Sequence, residues 1–100
     1  MSRLTATEIR LVEQYVNVLD YLSRCAQGID GGDWYYLADK ADALAHQAQR
    51  LAKLSGEVEQ TGRRSGRWPR PQAIRAAVAH HGRHYRAVRL LHPIEPEGRR

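Results

Sequence analysis

The segment that most constrains the fold of this chain runs from residue 33 to residue 56. Within it, apolar and small side chains recur at intervals of three and four residues, which is the spacing of one face of an α-helix. An aspartate can cap the start of such a helix, and a glycine can adopt the left-handed conformation that ends one. We therefore predict a helix over residues 33–55, capped by Asp33 and stopped at Gly56. Its predicted inward face consists of Trp34, Leu37, Ala41, Leu44, Ala45, Ala48, Leu51, Ala52 and Ser55.

The preceding segment predicts another helix, over residues 5–27. Thr5 and Glu8 have the spacing of a capping box, in which each side chain accepts a hydrogen bond from the other residue's backbone. Apolar residues cover about half of this helix's circumference, which is more than one neighbouring helix would bury. The glycine-rich link 28–32 is short enough to make the two helices antiparallel neighbours. The rest of the apolar arc must then be covered by a third helix, a second copy of the chain, or a partner protein.

After residue 56 the composition changes, and residues 56–70 contain three glycines, four arginines and one serine. We predict a flexible basic linker there, because these residues interrupt the helical pattern. A third helix is predicted over residues 71–91, since proline is favoured in a first helical turn and the pair at 92 and 93 ends the pattern. Gly82, in the middle of this helix, marks either a close contact or a bend. Residues 92–100 are predicted to form a disordered tail.

The composition agrees with these helices: 42% of the residues are hydrophobic, yet the chain has no phenylalanine. Alanine and leucine predominate among them, which favours packing of helix on helix over a sheet. The sequence therefore predicts a single all-α domain with three helices, an antiparallel helical hairpin plus a C-terminal helix after a basic linker.

The net charge of +5 is distributed unevenly along the chain. Residues 1–61 have a net charge of −3, whereas residues 62–100 have a net charge of +8 and contain ten arginines and no lysine. This asymmetry indicates an anionic partner, either nucleic acid or an acidic protein surface, although a solvated basic surface would have the same composition. The candidate partner-binding residues are the arginines of the linker and third helix, a tryptophan that offers a stacking surface, and two tyrosines at the start of the second helix. They are Arg63, Arg64, Arg67, Trp68, Arg70, Arg75, Arg83, Arg86, Arg89, Tyr35 and Tyr36. On a continuous third helix, Arg75, Arg86 and Arg89 would form one stripe.

The sequence contains no catalytic or cofactor motif. Cys25 falls on the apolar arc of the first helix, where a thiol behaves as a small hydrophobic group, and we predict that it belongs to the core. His80, His81, His84 and His92 suggest a metal site, but no carboxylate or second cysteine completes a ligand set, so we predict none. The cluster could instead be a pH-sensitive patch.

A helix-turn-helix motif is not predicted, because it needs two helices joined by three or four residues and the predicted linker is about fifteen residues long. Neither a signal peptide nor a run of about 20 apolar residues is present, which indicates a soluble cytoplasmic protein that does not enter a membrane.

These observations favour a non-enzymatic interaction protein that docks through a basic face on a larger, partly anionic protein or nucleoprotein assembly and acts by occlusion. By analogy of size alone, a phage- or mobile-element-type inhibitor, such as one that blocks a CRISPR complex, would fit. The alternative is a small nucleic-acid-binding regulatory protein that contacts the phosphate backbone. A homodimer is compatible with both, and an enzyme is disfavoured by the absence of catalytic groups.

Overall fold

The computed structural model describes residues 3–93, and the regular secondary structure in this range is entirely helical. The predicted all-α class and the antiparallel hairpin of two long helices are confirmed. The described range contains four helices where three were predicted, because the third predicted helix is interrupted. The helices are α1 (Ala6–Gly31), α2 (Trp34–Ser65), α3 (Pro71–His81) and α4 (Arg86–Leu91). The prediction of a disordered tail over residues 92–100 is wrong at His92, which is half-buried and caps α4. Residues 94–100 of the predicted tail lie outside the described range.

The helix α1 begins at the predicted capping box. Glu8 N–H donates to Thr5 Oγ1 at 3.1 Å, and Thr5 N–H donates to Glu8 Oε1 at 3.0 Å. The helix continues four residues past its predicted end at residue 27, because the left-handed residue that ends it is Gly32, with φ 65°. The predicted five-residue link is therefore reduced to Gly32 and Asp33, and Asp33 caps α2 as predicted by accepting from Tyr36 N–H at 3.0 Å.

The two long helices approach closely near their connection. Gly28 is buried, and a Cβ atom at this position would lie 3.0 Å from Leu37 Cβ and 3.1 Å from Leu37 Cα. The absence of a side chain at residue 28 therefore lets the backbones of α1 and α2 come together.

The face of α2 that packs on α1 differs from the predicted one. Seven of its half-buried positions follow the 3.5-residue repeat typical of paired helices. They are Leu37, Lys40, Leu44, Gln47, Leu51, Leu54 and Val58. The predicted alanines at positions 41, 45, 48 and 52 are exposed, as are Trp34 and Ser55. Leucines define the contact because burying them removes much more apolar surface than burying alanines does.

The prediction of a flexible linker over residues 56–70 is wrong for its first ten residues. Gly56 lies inside α2, and the left-handed residue that ends the helix is Gly66, with φ 72°. The helix persists because Val58 continues the half-buried face and Arg63 pairs with Glu59, one turn away, at 3.1 Å. Only residues 66–70 connect α2 to α3.

The predicted continuous helix over residues 71–91 is also wrong. It ends at His81 and resumes at Arg86, and Gly82 lies at the break. The predicted inward residues before the break, Ile74, Ala77 and Val78, are buried or half-buried as expected. His81, the last residue of α3, is exposed, contrary to the prediction. Beyond the break the helical phase is lost, so Val88 is buried but Tyr85 and Leu91 are exposed.

The hydrophobic core lies on one side of α1, where that helix meets α3 and α4. Its buried residues are Val12, Val16 and Leu19 from α1, Val78 from α3 and Val88 from α4. The helix α2 packs on another side of α1 and makes no backbone contact with α3 or α4. Two sides of the apolar arc of α1 are therefore packed against helices of the same chain, whereas Ile9 and Leu22 of this arc are exposed. Among residues 3–93, no helix combines the length and apolar character that a bilayer-spanning segment needs.

Candidate anion-binding surface

The arginines of the C-terminal third of the chain are mostly free of carboxylates. Residues 62–93 contain eight arginines and no aspartate or glutamate. Two of the eight form ion pairs, Arg63 with Glu59 at 3.1 Å and Arg67 with Glu8 at 3.3 Å. For the other six, no carboxylate of residues 3–93 lies within 4.0 Å: Arg64, Arg70, Arg75, Arg83, Arg86 and Arg89. Most of the predicted positive charge therefore faces solvent.

Arg67, predicted as a partner-binding residue, is engaged within the fold. Its Nη1 donates to Oε2 of Glu8, whose residue is only 4% exposed, and its Nη2 donates to the backbone oxygen of Arg3 at 3.3 Å. The same carboxylate caps α1, so Arg67 ties the segment after α2 to the start of α1. Since Arg67 and Glu8 are 59 positions apart, no local pattern in the sequence indicated this contact.

Two further arginines, Arg83 in the turn between α3 and α4 and Arg89 in α4, donate hydrogen bonds to backbone oxygens. Arg83 Nη1 donates to the backbone oxygen of His80 at 2.7 Å, and Arg89 Nη1 donates to that of Arg83 at 3.1 Å. A guanidinium carries five N–H groups, so one such bond leaves most of its donors available. The predicted single stripe of Arg75, Arg86 and Arg89 is wrong, because it required one continuous helix.

Trp68 stands beside the arginines but is partly used by the fold. Its indole lies against Gly62, where a Cβ atom would overlap the ring, and the residue remains 53% exposed. One part of the ring therefore covers the end of α2, and the other part is accessible for stacking.

The predicted tyrosines lie at the other end of the hairpin. Tyr35 is 86% exposed, whereas Tyr36 is half-buried with Lys40 Nζ 5.3 Å from the centre of its ring. Along α2, the 28 residues that separate Tyr35 from Arg63 span about 42 Å. The tyrosines and the arginines therefore do not form one surface.

The hairpin end is instead rich in carboxylates. Asp20 lies 3.2 Å from Arg24 and raises the pKa of that guanidinium, mainly through their charge interaction. The other carboxylates at this end are Asp30, Asp33, Asp39 and Asp42. The charge asymmetry of the sequence is thus also an asymmetry in space.

The histidines do not act as one cluster. His80, His81 and His84 are exposed, whereas His92 is half-buried and its Nε2 forms a 2.7 Å hydrogen bond with Tyr15 Oη. In the described part of the chain, no three histidine, cysteine or acidic side chains are arranged to hold a metal ion. Cys25 is buried in α1, as predicted.

Two clefts flank α3. A cleft of about 260 Å³ lies over α1, between α2 and α3, and its lining is mainly apolar: Leu11, Val12, Tyr15, Leu51, Ser55, Ile74, Arg75, Val78 and His92. A second cleft of about 680 Å³ lies between α3 and the end of α4, and its lining includes Arg75, Leu91 and His92. Neither is lined by a carboxylate or a thiol. Arg75 is common to both, so each cleft has a basic edge.

The fold and this surface define an all-α protein with a helical hairpin and a separate basic C-terminal unit. Comparison with known proteins adds no relative: no family model, curated protein or solved structure matches the chain.

Proposed function

We propose that the protein is a non-enzymatic docking protein, whose C-terminal arginines bind an acidic or nucleic-acid-bearing surface of a larger assembly and block that surface by occlusion. The observation that carries the proposal is the set of six arginines that no described carboxylate neutralises. Guanidinium groups are always charged and match carboxylate or phosphate groups in a planar, two-point geometry. An inhibitor of a nucleic-acid-handling complex is one form that such a protein would take.

Binding to defined polyanions tests this proposal. The probes are a labelled polyglutamate peptide and a labelled DNA duplex, each titrated at low and at near-physiological salt. We expect at least one of them to bind, with an affinity that falls as salt is added, because contacts with exposed charges are screened. Absence of binding to both probes at low salt would show that the proposal is wrong.

Arg70, Arg75 and Arg86 are suited to substitution, because none of them is hydrogen-bonded through its side chain to another described residue. Replacing all three with glutamine should weaken binding about tenfold or more at low salt, because three charged contacts with the probe are lost. The affinity of the variant should also depend less on salt, because fewer counterions are released on binding.

A control variant separates a specific surface from net charge. Replacing Arg10, Arg50 and Lys53 with glutamine removes the same charge from α1 and α2, and we expect a much smaller loss of affinity. Equal losses in the two variants would mean that net charge, and not the C-terminal surface, attracts the probe.

A second candidate function is a small nucleic-acid-binding regulator that contacts the phosphate backbone. It rests on the same arginines, since every basic residue in 62–93 other than histidine is an arginine, and a guanidinium binds phosphate as well as carboxylate in a two-point geometry. Preference for the duplex over polyglutamate would support this candidate, and the opposite preference would support docking on an acidic protein.

A further inference from the structure

The C-terminal unit contains two helices joined by a tight turn. The helix α3 has 11 residues, α4 has 6, and only residues 82–85 separate them. Two helices connected by three or four residues, often with a glycine in the connection, have the connectivity of a helix-turn-helix. The motif was not predicted from the sequence, because the predicted link before residue 71 is too long for it and the helix over residues 71–91 was predicted to be continuous.

Packing within the turn explains why the break lies at Gly82. This residue is buried, and a Cβ atom on it would be 2.6 Å from Val88 Cγ2 and 2.8 Å from Val88 Cγ1. Val88 itself is completely buried. The side chain of Val88 therefore occupies the space that the glycine leaves, and it holds α4 against the end of α3.

The turn belongs to a unit of three helices. The core residues Val12, Val16 and Leu19 of α1 contact Val78 of α3 and Val88 of α4 in one cluster. DNA-binding domains of the homeodomain type also consist of three helices, and the last one enters the major groove. Here α1 would be the supporting helix, α3 the first helix of the motif and α4 the second. The helix α2 lies outside the cluster, on another side of α1.

The outer surface of this unit has the charge that a DNA contact requires. Arg83, His84, Arg86 and Arg89, in the turn and in α4, are exposed. The six residues of α4 are sufficient for such a contact, because a recognition helix meets base edges through its N-terminal residues. Arg75, exposed on α3, is available for a phosphate.

We infer that α3 and α4 form a helix-turn-helix unit that binds duplex DNA, with the turn and the first turn of α4 in the major groove. The inference rests on the proposed basic docking surface and identifies its ligand as the DNA duplex. It also goes beyond contact with the phosphate backbone, because Arg86 at the start of α4 would reach base edges. Arginine is the residue that most often reads guanine there, through a two-point contact with O6 and N7.

Two single variants of equal charge test the inference. Arg86→Gln changes the start of α4, whereas Arg64→Gln changes the end of α2, and neither arginine is bound to a described carboxylate. Each variant is titrated against a labelled duplex two helical turns long and against one of its single strands. Far-ultraviolet circular dichroism confirms that both variants are folded.

We expect the wild type to prefer the duplex to the single strand, and a dye that fills the major groove to displace it. Arg86→Gln should weaken duplex binding about tenfold, the effect of losing one good arginine–base contact. Arg64→Gln should change it by less than about twofold, because one exposed charge outside the contact contributes little.

Three results would overturn the inference: failure to bind the duplex at low salt, equal affinity for duplex and single strand, or equal losses in the two variants. If the duplex fails to bind but polyglutamate binds in a manner that depends on Arg70, Arg75 and Arg86, the docking function stands and only the DNA-binding unit is refuted. If neither probe binds, both proposals fail.

Discussion

The contact between Gly82 and Val88 predicts a strong coupling between two substitutions. Gly82→Ala adds a methyl group that would lie 2.6 Å from Cγ2 of Val88, which is completely buried. Overpacking of this kind costs roughly 1–3 kcal/mol, which exceeds the gain of up to about 1 kcal/mol from replacing a glycine in a helix. We therefore expect Gly82→Ala to destabilise the protein by about 1–2 kcal/mol.

The partner substitution, Val88→Ala, removes two buried carbon atoms. At about 0.8 kcal/mol for each, plus a term for the cavity, it should cost about 2–3 kcal/mol. In the double variant, the alanine methyl at position 82 occupies part of the space that the valine methyl groups leave. The combined cost should then be about 2–3 kcal/mol, which is at least 1 kcal/mol less than the sum of the single costs.

Urea denaturation followed by far-ultraviolet circular dichroism measures all four free energies of unfolding. Gly56→Ala is the control, because nothing lies within 4 Å of the Cβ position at this glycine in α2. It should combine additively with Val88→Ala, since distant sites do not couple. Additivity of Gly82→Ala and Val88→Ala to within about 0.5 kcal/mol would show that the two side chains do not compete for one space, and the explanation of the helix break would be wrong.

Further predictions concern the contacts of α1, and denaturation measures each of them. Gly28→Ala should destabilise the protein by about 1–3 kcal/mol, because the added methyl group meets the backbone of α2. Gly31→Ala is the control and should be neutral or stabilising, because the space around this glycine is open. Equal effects of the two substitutions would contradict the close approach of α1 and α2. Glu8→Ala should cost about 2–3 kcal/mol, since it removes a helix cap and the partner of Arg67. A loss below about 0.5 kcal/mol would contradict this double role of Glu8. Tyr15→Phe should cost about 1 kcal/mol by removing the hydrogen bond to the imidazole that follows α4, and an unchanged stability would indicate that water replaces the bond.

Local patterns predicted the starts of the helices well and their ends poorly. The capping box of Thr5 and Glu8 and the cap at Asp33 are confirmed, because each depends on residues within one turn of the chain. Gly56 and Gly62 were interpreted as helix breakers, yet both lie inside α2. Gly62 leaves room for the Trp68 ring, and this contact forms only because the chain folds back after the end of α2.

For the candidate surface, the sequence predicted the overall charge but not which arginines are available for binding. Charge asymmetry follows from counting residues, so the sequence alone indicated a basic C-terminal region. Which arginines remain available depends on long-range contacts, such as the one between Arg67 and Glu8. The helix-turn-helix interpretation depends on the break at Gly82, whose cause is its packing against Val88. A glycine in a helical pattern signals a close contact or a bend, and here the contact produces the break.

Among the described helices, α2 has close backbone contacts only with α1, so it could detach while the other three stay together. Such an opening would expose the side of α1 that carries Gly28 and, one turn earlier, the thiol of Cys25. The rate at which a thiol-specific reagent modifies this cysteine in the folded protein would then report how often the long helix lifts away. Amide hydrogens of α2 would exchange on the same timescale, ahead of those in the valine-lined core.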